Sequence, residues 1–99
     1  MTEVGDPNVM VQAVGETTVA YLGRTNLRAL DVVLYPAEQR AVLWVRLRNS
    51  SLDSQLAAIA SFADVLECYA DELELDLRFG EPTAPTSVDA TSRAMSLSH

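Results

Sequence analysis

The segment ALDVVLYPAEQRAVLWVRLR, residues 29–48, carries the strongest structural signal in this chain. Two runs with apolar residues at alternate positions, Ala29–Tyr35 and Arg40–Arg48, flank the four residues Pro36-Ala37-Glu38-Gln39. Alternation with a period of two is typical of a half-buried β-strand, and proline favours the second position of a β-turn. The segment therefore predicts a β-hairpin.

The expected register of this hairpin, with Tyr35 opposite Arg40, divides its side chains between two faces. The first face is wholly apolar and is predicted to face the core: Leu30, Val32, Leu34, Ala41, Leu43, Val45 and Leu47. The second face mixes aromatic, aliphatic and charged residues: Asp31, Val33, Tyr35, Arg40, Val42, Trp44, Arg46 and Arg48. A strand face washed only by water is expected to be polar, so the second face predicts an interaction surface. Seven of its residues are predicted to bind a partner: Val33, Tyr35, Arg40, Val42, Trp44, Arg46 and Arg48.

A helix is predicted after the hairpin. Asn49-Ser50-Ser51 offers side-chain oxygens for an N-cap, and Asp53 suits the first turn. Apolar residues then recur at intervals of four and three: Leu52, Leu56, Ile59, Ala63, Leu66, Ala70 and Leu73. This spacing predicts one buried stripe, widened by a flanking apolar set. The flanking set is Ala58, Phe62, Val65 and Tyr69.

Strands are predicted on both sides of these elements. Val9–Val14 and Thr17–Leu22 are rich in β-formers and enclose Gly15-Glu16, a pair typical of a two-residue hairpin turn. Gly23–Asn26 predicts a further turn. A last strand is predicted where apolar residues alternate with charged ones, and Gly80 ends it. Its apolar positions are Leu73, Leu75, Leu77 and Phe79.

The predicted order is β-β-β-β-α-β, which is an α+β domain over residues 8–80. We expect a mostly antiparallel sheet with one long helix packed on one face. Residues 1–7 are predicted to be a flexible N-terminus. Residues 81–99, rich in Pro, Thr and Ser, are predicted to be a disordered tail.

The composition of the chain restricts its partners. Its 99 residues include 14 acidic and 7 basic side chains, for a net charge of −7. This excess disfavours direct binding to nucleic acid or to an anionic membrane. No apolar run approaches the length of a bilayer span, and acidic residues stand where a signal peptide would be positive. A cytoplasmic protein is therefore expected.

The sequence contains no recognisable catalytic, cofactor-binding or metal-binding constellation. His99 is the last residue, in a predicted tail that would not hold it in place as a base. Cys68 lies between Glu67 and Tyr69 in the predicted helix, where acidic neighbours disfavour a thiolate. No glycine-rich phosphate loop or metalloprotease motif occurs. We expect no enzyme activity, no cofactor and no metal.

An acidic set extends along the predicted helix and last strand: Asp64, Glu67, Asp71, Glu74 and Asp76. A solvated face is the ordinary interpretation of such a set. A site for a basic partner and a weak cation site are the alternatives, although the close ring of oxygen ligands that calcium and magnesium require is not evident.

The sequence favours a small regulator, inhibitor or adaptor that binds a protein through the second hairpin face. Tryptophan, tyrosine and arginine, as in Tyr35, Trp44 and Arg46, are enriched at binding hot spots. Alternatively, the first hairpin covers this face, or two copies pack through it as a homodimer. Two other functions stay open: an acidic nucleic-acid mimic that inhibits a DNA- or RNA-binding protein, and a protein or enzyme for a small apolar ligand with Tyr69 as the polar group.

Overall fold

The structure, a computed structural model, describes residues 7–49, 51–82 and 90–96. Its elements are helix α1 Pro7–Leu22, strand β1 Leu27–Tyr35, a short 3-10 helix Pro36–Glu38, strand β2 Arg40–Leu47, helix α2 Leu52–Cys68, strand β3 Glu74–Phe79 and strand β4 Thr91–Ser96. The strands form one sheet in the order β3-β2-β1-β4. The α+β class is confirmed. The sheet is mixed, however, and two helices are present where one was predicted.

The central hairpin has the predicted register from the Tyr35–Arg40 pair to the Ala29–Arg46 pair, and a bulge then shifts the pairing to Leu27 with Leu47. Tyr35 pairs with Arg40, and Asp31 pairs with Trp44. Gln39 closes the loop in the left-handed conformation, with a φ of 52°. The predicted core face is confirmed, because six of its members are buried and Leu47 is half-buried. The six are Leu30, Val32, Leu34, Ala41, Leu43 and Val45.

The predicted first hairpin is wrong, since residues 7–22 form helix α1. The buried side chains of this segment recur at intervals of three and four, which is the helical period. They are Val11, Val14, Thr18 and Leu22. The Thr18 hydroxyl donates a hydrogen bond to the Val14 carbonyl at 2.8 Å, which satisfies the one buried polar side chain in this set. Packing of this stripe outweighs the modest strand preference of valine and threonine.

Gly15 is a packing residue of α1, and the turn predicted there does not exist. A Cβ atom at this position would lie 2.5 Å from Met95 Cε and 3.5 Å from Val32 Cγ2. The missing side chain therefore lets α1 approach β1 and β4 closely. A true turn follows the helix at Gly23, as predicted, with a φ of 94°. The Asn26 side-chain amide donates to the Leu22 carbonyl at 3.0 Å and caps the helix end.

Helix α2 begins as predicted, because the Ser51 hydroxyl accepts a hydrogen bond from the Ser54 N–H at 3.2 Å. Its buried residues are Ala58, Phe62 and Val65, which the sequence placed at the flank of the stripe. The stripe itself is exposed at four of its large residues, so the predicted orientation of the helix is wrong. These four are Leu52, Leu56, Ile59 and Leu66.

Strand β3 confirms the predicted last alternation and Gly80 ends it with a φ of 117°. β3 runs parallel to β2, with Leu43 opposite Leu77, so α2 is the crossover between them. β1 is antiparallel to both β2 and β4. The pairing of β2 with β3 makes the sheet mixed, where a mostly antiparallel one was expected.

The predicted tail contains a strand, since Thr91–Ser96 pair with β1 as β4. The Met95 side chain packs against the core. The strand forms through backbone pairing with β1, which does not require many large apolar side chains. Pro7, predicted to be flexible, begins α1. Residues 83–89 and 97–99 of the predicted tail, and 1–6 of the predicted N-terminus, lie outside the described residues.

Both helices pack on one face of the sheet. α1 contacts β1 and β4, and α2 contacts α1 and β3. Side chains from both helices and from the sheet share one core, which includes Val14, Phe62 and Leu43. Within the described ranges, neither helix is long and apolar enough to cross a membrane. The opposite face of the sheet receives no helix from the described part of the chain, and we name it the helix-free face.

Candidate interaction surface

The seven residues predicted to bind a partner come from one side of the hairpin, which is the helix-free face. Strand pairing places Asp76 beside Val42 and Arg78 beside Trp44 on that same face. Their side chains vary in exposure. Val33 and Val42 are 4% and 6% exposed, Arg48 is exposed, and the rest are half-buried. The half-buried residues are Tyr35, Arg40, Trp44 and Arg46.

Arg46 is held by groups of the chain itself. Its Nη2 lies 2.5 Å from Asp31 Oδ2 on β1, and both side chains are largely buried. Its Nη1 donates to the Gly80 carbonyl at 3.1 Å and lies 3.8 Å from Glu81 Oε1. This guanidinium thus connects β1, β2 and the end of β3. Both terminal nitrogens of Arg46 therefore bind groups of the same chain.

Arg40 is similarly engaged at the other end of β2. Its Nε donates to Glu38 at 3.2 Å, and its Nη1 donates to Asp76 at 3.2 Å. Its guanidinium carbon also lies 4.9 Å from the centre of the Tyr35 ring, a cation–π distance. The hydrogen bond to Glu38 is the main cause of the raised pKa of Arg40; burial opposes it, and the hydrogen bond to Asp76 adds to the rise.

These contacts change the expectation for the helix-free face. Its two valines are already covered, and two of its arginines bind carboxylates of the same chain. The part that remains partly accessible is Trp44 and Tyr35, with Arg48 exposed nearby. The assignment of this face to a partner stays a prediction.

The largest exposure of apolar side chains lies elsewhere, on α2. Leu52 is 68% exposed, Leu56 54%, Ile59 48% and Leu66 39%. With the exposed Ala63 between them, these residues form a line that we call the α2 ridge. The four-three spacing of the ridge repeats in a second line on the same helix, Ala58, Phe62, Val65 and Tyr69. This second line packs into the core.

The sequence contained a signal for the ridge that core-based reasoning missed. A surface helix normally has one apolar stripe, which faces the core of its own domain. A helix with two apolar lines, each with residues at intervals of four and three, has more apolar surface than one core contact can cover. One line then faces the core of its own domain, and the other requires a different partner. Phe62 and Val65 of one line lie in the core, whereas the leucine-rich line lies outside.

The contacts of α2 with α1 show which way the ridge faces. Cys68 Sγ lies 3.8 Å from the Tyr21 hydroxyl of α1, and the Tyr69 hydroxyl lies 3.1 Å from Thr17 Oγ1. Cys68 lies on the far side of the helix from Ile59 and Leu66, because each residue advances about 100° around the axis. The ridge therefore faces away from α1, beyond the outer strand β3.

The predicted acidic set does not form one surface. Asp64 and Glu67 are exposed on α2, Asp71 is exposed in the turn after it, and Glu74 and Asp76 belong to β3 on the helix-free face. Asp76 is paired with Arg40. Among the described residues, no group of three or more histidine, cysteine or acidic side chains is placed to hold a metal ion.

The clearest electrostatic effect in the described chain concerns Tyr21. The hydrogen bond and charge of Cys68 raise the pKa of the Tyr21 phenol, and burial and the nearby carboxylates of Asp64 and Glu67 act in the same direction. Cys68 is exposed, and its Sγ lies 3.8 Å from this phenol oxygen. A phenol is a poor base at neutral pH, so this pair does not resemble an activated nucleophile.

A groove of about 620 Å³ opens beside the start of α1 and the turn after α2. Apolar residues such as Met10, Leu34 and Leu73 line it, together with Asp71 and Glu72. Among its lining residues there is no serine, cysteine, histidine or lysine. The predicted polar handle, Tyr69, is not among the lining residues and is hydrogen-bonded to Thr17.

Comparison with known proteins adds no identity to these surfaces. No protein-family model matches the chain, and no curated protein is significantly similar to it.

Proposed function

We propose that this chain is a small non-catalytic regulator, inhibitor or adaptor that works by binding protein, and that the α2 ridge is its main binding surface. The observation that carries the proposal is the exposure of four large aliphatic side chains in one line, from 39% to 68%. Apolar residues exposed together on a globular protein are typical of interaction sites. Full burial of each such side chain would contribute about 1.5–3 kcal/mol.

The Trp44 side of the helix-free face is the second candidate surface for the same function. Trp44 and Tyr35 are aromatic anchors of the kind enriched at hot spots, and Arg48 is exposed beside them. The internal pairing of Arg46 with Asp31, and of Arg40 with Asp76, makes this surface the weaker candidate.

The two other functions considered from the sequence receive less support. A nucleic-acid mimic needs an ordered array of free carboxylates, and the acidic set is divided between α2, a turn and β3. A ligand-binding enzyme needs reactive groups held in a cavity, and the groove near Met10 offers only the carboxylates of Asp71 and Glu72, both of which are exposed.

The proposal includes a cytoplasmic location. The single cysteine, Cys68, is a free and exposed thiol. Reducing conditions in the cytoplasm keep such a thiol from forming intermolecular disulfides.

A capture experiment tests the proposed function. The wild-type chain, the ridge double variant Leu56→Ser/Ile59→Ser, and the matched control Val9→Ser would each be tagged and expressed in the native host. Val9 is 64% exposed on α1 and lies outside the ridge, so its variant loses a similar apolar side chain. A protein that is retained by the wild type and the control but lost with the ridge variant, and that rebinds after purification, is the expected result. Equal retention by all three would contradict the proposal.

A further inference from the structure

We propose that the α2 ridge and the outer edge of β3 together bind a second copy of this chain across a two-fold axis, an inference that rests on the proposed function. The two features adjoin each other, because α2 contacts β3 and the ridge faces away from α1. Each feature is self-complementary, since two identical edges or two identical ridges can pair under two-fold symmetry.

No strand among the described residues pairs with the outer edge of β3. β3 is the outermost strand on its side of the described sheet. The Glu74 N–H donates to the Gln39 carbonyl at 2.9 Å, and the Gly80 N–H donates to the Val45 carbonyl at 3.0 Å. Even-numbered residues of β3 therefore bond to β2, and the backbone groups of Leu75, Leu77 and Phe79 point outward. Such an edge is a template for another strand.

A two-fold axis perpendicular to the sheet pairs the two β3 strands in antiparallel orientation. It also keeps the helices of both copies on the same side. The outward backbone groups of odd-numbered residues must then bond to odd-numbered residues of the second copy. With the axis at Leu77, Leu77 pairs with itself, and Leu75 pairs with Phe79 of the second copy.

Charge complementarity selects this register. With the axis at Leu77, Asp76 of each copy stands opposite Arg78 of the other on the helix-free face. If the axis moves by one residue to Asp76, the two Asp76 side chains of the two copies face each other. If it moves by one residue to Arg78, the two Arg78 side chains face each other. Opposite charges facing each other across strands are stabilising, and like charges are destabilising. The Arg78 side chain is exposed, and Asp76 is half-buried, so both are at the surface of this edge.

The ridges complete the interface on the helix side of the sheet. α2 runs antiparallel to β3, so the same axis makes the two α2 helices antiparallel. Spacings of four and three residues are those of the seam between two packed helices. α2 has 17 residues and is about 25 Å long. The pairing would remove Leu52, Leu56 and Ile59 from water.

The test uses light scattering on the full chain across a range of concentrations, with variants that reverse one charge. The wild type is expected to reach twice the 10.8 kDa mass of one chain. Arg78→Glu places two like-charge pairs in the interface, and should raise the dissociation constant by roughly tenfold or more. Asp76→Arg should do the same. An equimolar mixture of the two variants restores opposite charges at both positions, so it should recover the double mass.

Asp76 lies 3.2 Å from Arg40, so Asp76→Arg also creates repulsion within one chain. Its fold is therefore checked by circular dichroism. Hydrogen exchange on the wild type supplies an independent readout if that variant unfolds. The amides of Leu77 and Phe79 should exchange more slowly as the concentration rises, whereas those of Asp76 and Arg78 should change little.

The outcomes separate this inference from the proposed function. A wild type that is monomeric at every concentration would contradict the proposed binding of a second copy. The proposed function would still hold in that case if the capture experiment retained a foreign protein that needs the ridge for binding. A dimer that neither Arg78→Glu nor Leu56→Ser/Ile59→Ser weakens would also overturn the inference, because it would form through another surface.

Discussion

Arg46 on β2 and Asp31 on β1 face each other across the helix-free face, with Nη2 and Oδ2 2.5 Å apart and both side chains largely buried. Since Arg46 also donates to the Gly80 carbonyl, this pair fixes three strands relative to one another. The contact explains why charged residues occupy the centre of a sheet whose other face is apolar.

Removal of one partner of this pair should destabilise the fold. Asp31→Ala leaves the Arg46 guanidinium partly desolvated without its carboxylate, and we expect a loss of about 1–3 kcal/mol in the free energy of unfolding. Urea unfolding measures it. Glu72→Ala, at an exposed carboxylate in the turn after α2, is the control and should change stability by less than about 0.5 kcal/mol. Equal effects of the two substitutions would show that the pair does not hold the strands.

Two residues of α2 should respond very differently to truncation. Phe62 is 4% exposed in the core, so Phe62→Ala should cost about 3–5 kcal/mol. Leu56 is exposed on the ridge, so Leu56→Ala should cost less than about 1 kcal/mol in the dilute, monomeric protein. Denaturant unfolding at low protein concentration checks both. The reverse order would place the ridge in the core and the Phe62 line outside.

Gly15 and Met95 should be energetically coupled. Alanine is favoured over glycine in a helix by about 1 kcal/mol, but its Cβ would meet Met95 Cε at 2.5 Å. Gly15→Ala should therefore stabilise the Met95→Ala protein and give a smaller gain, or a loss, in the wild type. A double-mutant cycle from unfolding midpoints measures the coupling.

Gly23 provides the matched control for this cycle. Its φ of 94° strains any L side chain, so Gly23→Ala should destabilise the protein equally with and without Met95. An identical effect of Gly15→Ala in both backgrounds would contradict the close approach of α1 to β4.

The Tyr21 phenol should ionise above its ordinary pKa of 10.0. Cys68→Ala removes the contact with the Cys68 sulfur, and should lower the pKa of Tyr21; Asp64→Asn should lower it less. Because the folded-state pKa is raised, the contribution to stability is present below pH 10.0 and is lost as the pH rises through the folded value. Alkaline titration of tyrosinate absorbance measures this shift, with Tyr21→Phe to assign the signal. An unchanged titration in Cys68→Ala would contradict the contact.

The hairpin at residues 29–48 could be predicted because its signals are local. Period-two alternation, a proline in the loop and an apolar face all specify the same register, and Tyr35 does pair with Arg40. The N-cap at Ser51 and the strand Glu74–Phe79 were predictable for the same reason.

The wrong predictions concern segments whose structure depends on tertiary packing. Valine and threonine in α1 favour strands by propensity, but the line from Val11 to Leu22 packs as a helix on β1. Gly15 resembles a turn residue, although its role depends on Met95, which is distant in sequence. Periodicity predicts the ridge as core, because it does not distinguish a line that contacts its own sheet from one that contacts another molecule.

The thermal unfolding midpoint as a function of protein concentration tests the association through the α2 ridge most directly. A surface that is buried only in the dimer stabilises the folded state by mass action. The midpoint of the wild type and of Val9→Ser should therefore rise with concentration, whereas that of Leu56→Ser/Ile59→Ser should stay constant. A wild-type midpoint that is independent of concentration, in a protein whose mass stays at 10.8 kDa, would contradict self-association through the ridge.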